Sequence, residues 1–176
     1  LVASCLDEIE AALKEHPNVR FCYEAAVCGG IPIINGLQSS FLGDHITEVQ
    51  GIMNGTTNYM LTKMSDEGAS YAAALAEAQR LGYAEADPTA DVEGLDVQAK
   101  LALLTKLAFG KTVAPAAIPT AGISAVDAVD FHFAKALGAT VKLLGTARRV
   151  PMGGGAPMGG GAPMGGGAPM GGGAPM

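Results

Sequence analysis

Residues Gly82 to Lys100 read GYAEADPTADVEGLDVQAK, and the fold and the chemistry both turn on this stretch. Five carboxylates, Glu85, Asp87, Asp91, Glu93 and Asp96, run into a single lysine, Lys100. The spacing predicts a helix over 95–109, which sets Asp96 and Lys100 at i and i+4, roughly 6 Å apart on one face. That helix is apolar nearly all round, with Val97, Leu101, Leu103, Leu104 and Leu107 among its residues. Such a helix is buried on most sides. An acid and an ammonium in its first turn therefore need partners, because charges are rarely buried unpaired. The same spacing also makes the ordinary helical salt bridge, worth only a few tenths of a kcal/mol, about 0.3–0.5, when exposed. Three features weigh towards a site: the scarce polar face, the crowd of acids ahead of it, and Gly82, Pro88 and Gly94 shaping the preceding loop. Carboxylates beside one lysine can hold a polar substrate and move a proton.

Outward from this stretch, the chain has 176 residues, for which one domain is the first expectation. Its end is different in kind: from Pro151 the hexapeptide PMGGGA repeats four times and closes on Pro-Met. Gly-rich sequence of this type behaves as flexible chain, so a disordered tail is expected over 150–176. It reads equally as a linker, a surface-interaction tail or a mis-joined reading frame. Five of the eight methionines lie in it, leaving only Met53, Met60 and Met64 for a core.

The net charge is −6 with no basic patch, which argues against nucleic acid or an anionic membrane as partner. No apolar run reaches the length of a membrane span. The N-terminal LVASCLDEIEAALKEH lacks a signal-peptide layout and does not begin with Met, so a fragment of a longer protein is expected. Cys5, Cys22 and Cys28 are odd in number with no CxxC spacing, as in a soluble protein of a reducing compartment.

Taken in order, Ser4 to Glu15 reads as a helix, with Ser4 and Asp7 as a capping box. Val19, Phe21 and Tyr23 alternate as in a strand. Glu24-Ala-Ala-Val-Cys-Gly-Gly-Ile-Pro-Ile-Ile stops any regular element, and the glycine pair points to a special turn. A second strand is expected over 46–53. It runs into Asn54-Gly-Thr-Thr-Asn58 and a helix from about Tyr59 to Glu67, with Thr56 or Thr57 as cap or its free N–H groups as an anion site. A helix over 70–81, one that opens near Ser124 and Asp127 and ends at Gly138, and a strand over 140–147 complete the pattern. His16, His45 and His132 share no metal-ligand spacing, and there is no GxGxxG, Walker loop or GxSxG. The expected fold class is α+β, a mixed or mainly antiparallel sheet with helices on one face.

The run Ala78, Gly82, Asp87-Pro88, Asp91, Gly94, Asp96, Lys100 resembles the signature segment of homoserine dehydrogenases. The blocks Glu24 to Ile34 and Gly51-Ile-Met-Asn-Gly-Thr-Thr-Asn-Tyr59 resemble two further segments of that family, in the same order. The resemblance covers roughly residues 1–149. It implies NAD- or NADP-dependent interconversion of aspartate semialdehyde and homoserine, on the aspartate route to threonine, methionine and isoleucine. Matched by position, Lys100 would donate the proton, with Asp96 beside it to orient it and hold it as an ammonium. Glu85, Asp91, Asp96, Gly55, Thr56 and Tyr83 would line the substrate, and Gly82 would touch the cofactor. The carbonyls of Glu24, Val27, Gly29 and Ile31 would hold a monovalent cation, sodium by expectation.

The resemblance also implies domains: 1–18 as the end of a nucleotide-binding domain and 19–149 as the substrate-binding and catalytic domain. The family's Gly-rich first turn, a further lysine and the returning C-terminal portion have no counterpart in the sequence. The chain alone is therefore expected to be inactive. A homodimer and a small-molecule substrate follow from the same resemblance, while the charge and the cysteines lead to the expectation of no nucleic acid or membrane partner and of a cytoplasmic or plastid location. The rival reading is a non-catalytic dimerisation module or degenerate fragment, and binding of NADPH separates the two.

Overall fold

The computed structural model describes residues 1–150; the repeat tail from Pro151, and the disorder expected of it, lie outside the described residues. Helix α1, Leu6–Glu15, is followed by a short 3-10 turn at Glu24–Ala26 and a single turn α2, Ile33–Asn35, that continues as a π turn over Gly36–Ser40. Strand β1, Glu48–Gly51, leads into α3, Gly55–Glu67, and α4, Tyr71–Arg80. A one-turn α5, Thr89–Val92, precedes the long α6, Leu95–Phe109, and α7, Ala128–Ala136, precedes strand β2, Gly145–Arg148. The fold is α+β, with its helices on one face of an antiparallel sheet.

Helix α6 is the axis. Val97, Leu101, Ala102, Leu103 and Leu104 are all buried, as its all-round apolarity requires. One core joins Val97, Leu101, Leu103 and Leu104 to Leu6 of α1, Val27, Ile34 and Met53. A second core gathers Met60, Leu61 and Met64 of α3 with Ala74 and Ala78 of α4, Val92, Ile123 and Phe131 of α7. Alanines on α4 let it lie close against α3. Lys106 Nζ to Glu10 Oε2, at 3.0 Å, ties the end of α6 to α1.

The sheet is smaller than its sequence suggests: two strands, paired antiparallel with Val49 opposite Ala147 and Gly51 opposite Gly145. Alternation explains its two faces. Val49, Gly51, Gly145 and Ala147 face the core, and Glu48, Gln50, Thr146 and Arg148 face outward. A Cβ at Gly145 would stand 2.8 Å from Met53 Sδ and 3.0 Å from Val97 Cγ1, so any larger residue there would have to displace these core side chains. A two-stranded ribbon is marginal by itself, and packing on α6 is what makes it stable here.

Several expectations are corrected. Residues 19–23 form no strand; Phe21 and Tyr23 instead stack on each other at 5.5 Å, and Tyr23 packs against the α6 core. Alternation described the side chains, but a ladder also needs a partner strand. The strands over 46–53 and 140–147 shorten to 48–51 and 145–148. Helix α1 begins at Leu6 with no side-chain cap, so Ser4 and Asp7 make no capping box. The box occurs at α7, where Asp127 accepts from Val129 N and Asp130 accepts from Asp127 N.

Leu104 is only 2% exposed in the larger core. Leu104→Ala should cost about 2–5 kcal/mol of stability by urea unfolding, with an unchanged slope. A loss below about 0.5 kcal/mol, the size of a surface change, would show that α6 is not the packing axis.

Candidate active site

The site forms where the start of α3 meets the start of α6. Asn54 caps α3: its extended backbone turns the chain out of β1, and its Oδ1 accepts from Thr57 N at 2.9 Å. Thr57 Oγ1 donates to the same oxygen at 2.9 Å. Gly94, with φ of 77°, opens α6 without any side-chain cap, and Asp96 in the first turn suits the positive end of the helix dipole. One turn on, Lys100 points back over Asp96.

Lys100 Nζ donates to Asp96 Oδ2 at 2.6 Å and to the Met53 carbonyl at 2.9 Å. The two side chains are 19% and 29% exposed, so the pair is sheltered rather than a free surface bridge. Asn54 Nδ2 donates to Asp91 Oδ1 at 2.7 Å and to Asp96 Oδ2 at 3.0 Å. An ammonium has three N–H bonds. Two are engaged, which leaves one for a further acceptor.

Lys100 lines a cleft of about 530 Å³ together with Asp96, Asp91, Glu85, Tyr83, Gly82, Thr56 and Gly55. The structure thus brings every expected substrate-site residue, and Gly82, to one place. Thr56 Oγ1 donates to the Tyr83 carbonyl at 2.7 Å, tying α3 to the far wall. The Tyr83 ring lies 5.0 Å from that of Tyr59. Gly82 ends α4 with φ of 79°, a conformation glycine adopts without strain, and a Cβ there would meet open space. Glu85 is exposed, and among the described residues its carboxylate has no hydrogen-bond or ion-pair partner. That uncommitted charge faces the same cleft as the lysine.

Two polar residues that line the cleft, Asn54 and Asp87, were not among the expected site residues. Asn54 was legible only as a cap, a role given instead to Thr56 or Thr57. Asp87, whose Oδ1 accepts from Thr89 N at 3.1 Å and Thr89 Oγ1 at 2.6 Å, shapes the turn. These bonds hold its carboxyl below the usual carboxylate range, the hydroxyl contributing most and the N–H next.

The expected cation loop lies apart from this cleft. The Glu24 carboxylate accepts from Ile34 N at 2.9 Å and Asn35 N at 2.7 Å, capping α2. Its carbonyl accepts from Val27 N at 3.3 Å, and that of Ile31 from Ile33 N at 2.8 Å. Cys28 takes the left-handed region with φ of 49°, and Gly30 follows at 86°. Two of the four carbonyls named for the cation thus already accept a backbone N–H within the loop, each keeping a second lone pair. No group of three or more His, Cys, Asp or Glu among the described residues could hold a metal. The loop reaches the site through Cys28, whose Sγ stands 4.0 Å from the same Met53 carbonyl that Lys100 uses. Burial pushes the Cys28 thiol up; nearby Lys100 pulls it down and Asp96 pushes it up.

The homoserine dehydrogenase family model matches residues 32–158. The chain is 48% identical over 142 residues to homoserine dehydrogenase of Lactococcus lactis, covering 81% of this chain and 33% of that protein. Against the Bacillus subtilis homoserine dehydrogenase the identity is 46% over 149 residues, 85% of this chain and 34% of that one. A solved homoserine dehydrogenase from Thiobacillus denitrificans superposes with a TM-score of 0.81 at 46% identity, over 86% of this chain and 35% of that chain. A hyperthermophilic archaeal homoserine dehydrogenase in complex with NADPH superposes with a TM-score of 0.68 at 30% identity, over 84% and 42%. The chain spans about a third of the length of the curated relatives it matches.

The thiols offer a direct check of the local electrostatics. Cys22 is exposed and Cys28 half-buried with its thiol pushed up, so a thiol reagent should modify Cys22 first, as read by mass spectrometry of peptides. Equal or faster labelling of Cys28 would mean that Lys100 outweighs burial there.

Proposed function

This chain belongs to the homoserine dehydrogenase family, and we propose that it supplies the substrate-binding and proton-donating half of such an enzyme. On this reading residues 1–18 end a nucleotide-binding domain and 19–149 form the catalytic domain. The reaction interconverts L-aspartate 4-semialdehyde and L-homoserine, in the synthesis of threonine, methionine and isoleucine. The single observation that carries the reading is Lys100: an ammonium fixed by Asp96 and Met53, with one N–H to spare, in the same cleft as the uncommitted Glu85.

A nicotinamide cofactor, NADP or NAD, supplies the hydride when bound, and the open backbone at Gly82 on the cleft rim fits its approach. Everything else is done by this chain's residues. As the aldehyde oxygen gains negative charge, Lys100 stabilises it and donates the proton that makes the hydroxyl. Asp96 keeps the ammonium aimed. Glu85 and Asp91 attract the substrate's cationic amino group, while the N-terminus of α3 at Gly55 and Thr56 offers N–H groups to its carboxylate. Tyr83 closes the side of the cleft.

The carbonyls of Glu24, Val27, Gly29 and Ile31 would hold a sodium ion, which would brace the turn beside Met53. The free cysteines fit a reducing compartment, cytoplasm or plastid, and no helix among the described residues is long and apolar enough to cross a membrane. The two-stranded sheet, whose outer edges have no partner among the described residues, suits a homodimer.

In a protein joining this chain to a dinucleotide-binding domain, Lys100→Ala should lower kcat by about 10²–10⁴ while cofactor binding is unchanged. Near-normal turnover refutes the assignment. Glu85→Gln should instead act mainly through KM for homoserine. Replacing choline by sodium in the buffer should raise the melting temperature of the chain, and equal melting in the two salts removes the cation from the account.

A further inference from the structure

We propose that Asn54 is a positioning residue, which fixes Asp96, and through Asp96 the ammonium of Lys100, by way of its side-chain amide. The inference rests on the function proposed for the cleft and deepens it. Asn54 is 5% exposed, and every polar atom of its side chain is engaged.

The orientation of this amide is dictated by its neighbours. Thr57 N–H can only donate, so the Asn54 atom 2.9 Å from it has to be the carbonyl oxygen. The NH2 then faces the acids, and both of its hydrogens are spent, on Asp91 and on Asp96. Asp96 Oδ2 consequently receives two donors, Asn54 Nδ2 and Lys100 Nζ. That the amide is uncharged matters. A cation in its place would compete with Lys100 for Asp96, and an acid would repel both carboxylates. The amide joins two acids while leaving Lys100 the only positive charge among them. Because the same residue starts α3, the helix and the spacing of the acids move together.

The charged and titratable groups around this point are Asp91 from α5, Asp96 and Lys100 from α6, and Cys28 from the glycine turn. Glu85 and Asp87 stand on the connection between α4 and α5, and Tyr83 completes the set. Two substitutions separate positioning from capping. Asn54→Asp keeps an oxygen for Thr57 and remains a good N-cap. It turns a shared donor into a third acid in contact with two others. Like charges so close cannot all ionise, so the variant's cluster retains a proton towards neutral pH. Asn54→Ser also keeps a cap oxygen, but removes the amide NH2 that reaches Asp91 and Asp96, without adding charge.

Homoserine affinity by calorimetry and melting temperature are measured for the full chain and both variants at about pH 6 and about pH 8. Asn54→Asp should lose affinity by about tenfold to a hundredfold at the higher pH and regain part of it at the lower. A carboxyl whose folded-state pKa is raised destabilises as pH climbs towards that value. The melting temperature of Asn54→Asp should therefore fall, relative to the unsubstituted chain, over the same rise. Asn54→Ser should lose affinity equally at both. Affinities like the unsubstituted chain's in both variants, with parallel melting curves, would reduce Asn54 to a helix cap and overturn the proposal. If the unsubstituted chain takes up no homoserine, the proposed function fails instead. The pH dependence of melting then decides on Asn54 alone.

Discussion

The structure depends on one constraint: a lysine head group sheltered from most of its water at the start of a buried helix. Removing an ammonium from water costs several kcal/mol unless other groups replace its hydration. Here the replacements are the Asp96 carboxylate and the Met53 carbonyl, supplied by α6 itself and by the chain leaving β1. The strand, the α3 cap and the α6 start are therefore fixed relative to one another by the need to satisfy a single charge. A surface pair at the same spacing would impose nothing of the kind.

The two cores explain why that junction is rigid. Val97, Leu101 and Leu104 hold α6 against Met53, and Met60 and Leu61 hold α3 against α4. The polar cluster lies between them, so neither helix can shift without unpacking apolar contacts. Sheet and site share a residue as well: Met53 meets Gly145 through its sulfur and Lys100 through its carbonyl. What faces the cleft is thus a preorganised set of donors and acceptors, the condition under which electrostatic stabilisation is effective.

Much of this was legible in the sequence, and the exceptions have physical causes. Helix 95–109 matches residue for residue because all-round apolarity between Gly94 and Gly110 leaves little choice of limits. The Asp96–Lys100 pair follows from a local spacing, as does the glycine ending of α4. The strand expected at 19–23 failed because alternation cannot reveal whether a partner exists. Asn54 failed for a related reason. Its capping partner is three residues away, within reach of local rules, but Asp91 and Asp96 are 37 and 42 residues distant. Only the folded chain brings them to one amide. The family resemblance located the cleft's other residues through their order, and the geometry supplies the reason that they belong together.

The most direct measurement is a crystal structure of the chain with homoserine bound. The account requires the hydroxyl oxygen on Lys100 Nζ, within about 3.2 Å, and the amino group beside Glu85 and Asp91. Homoserine bound the other way round, or Lys100 turned out of the cleft towards solvent, would contradict it.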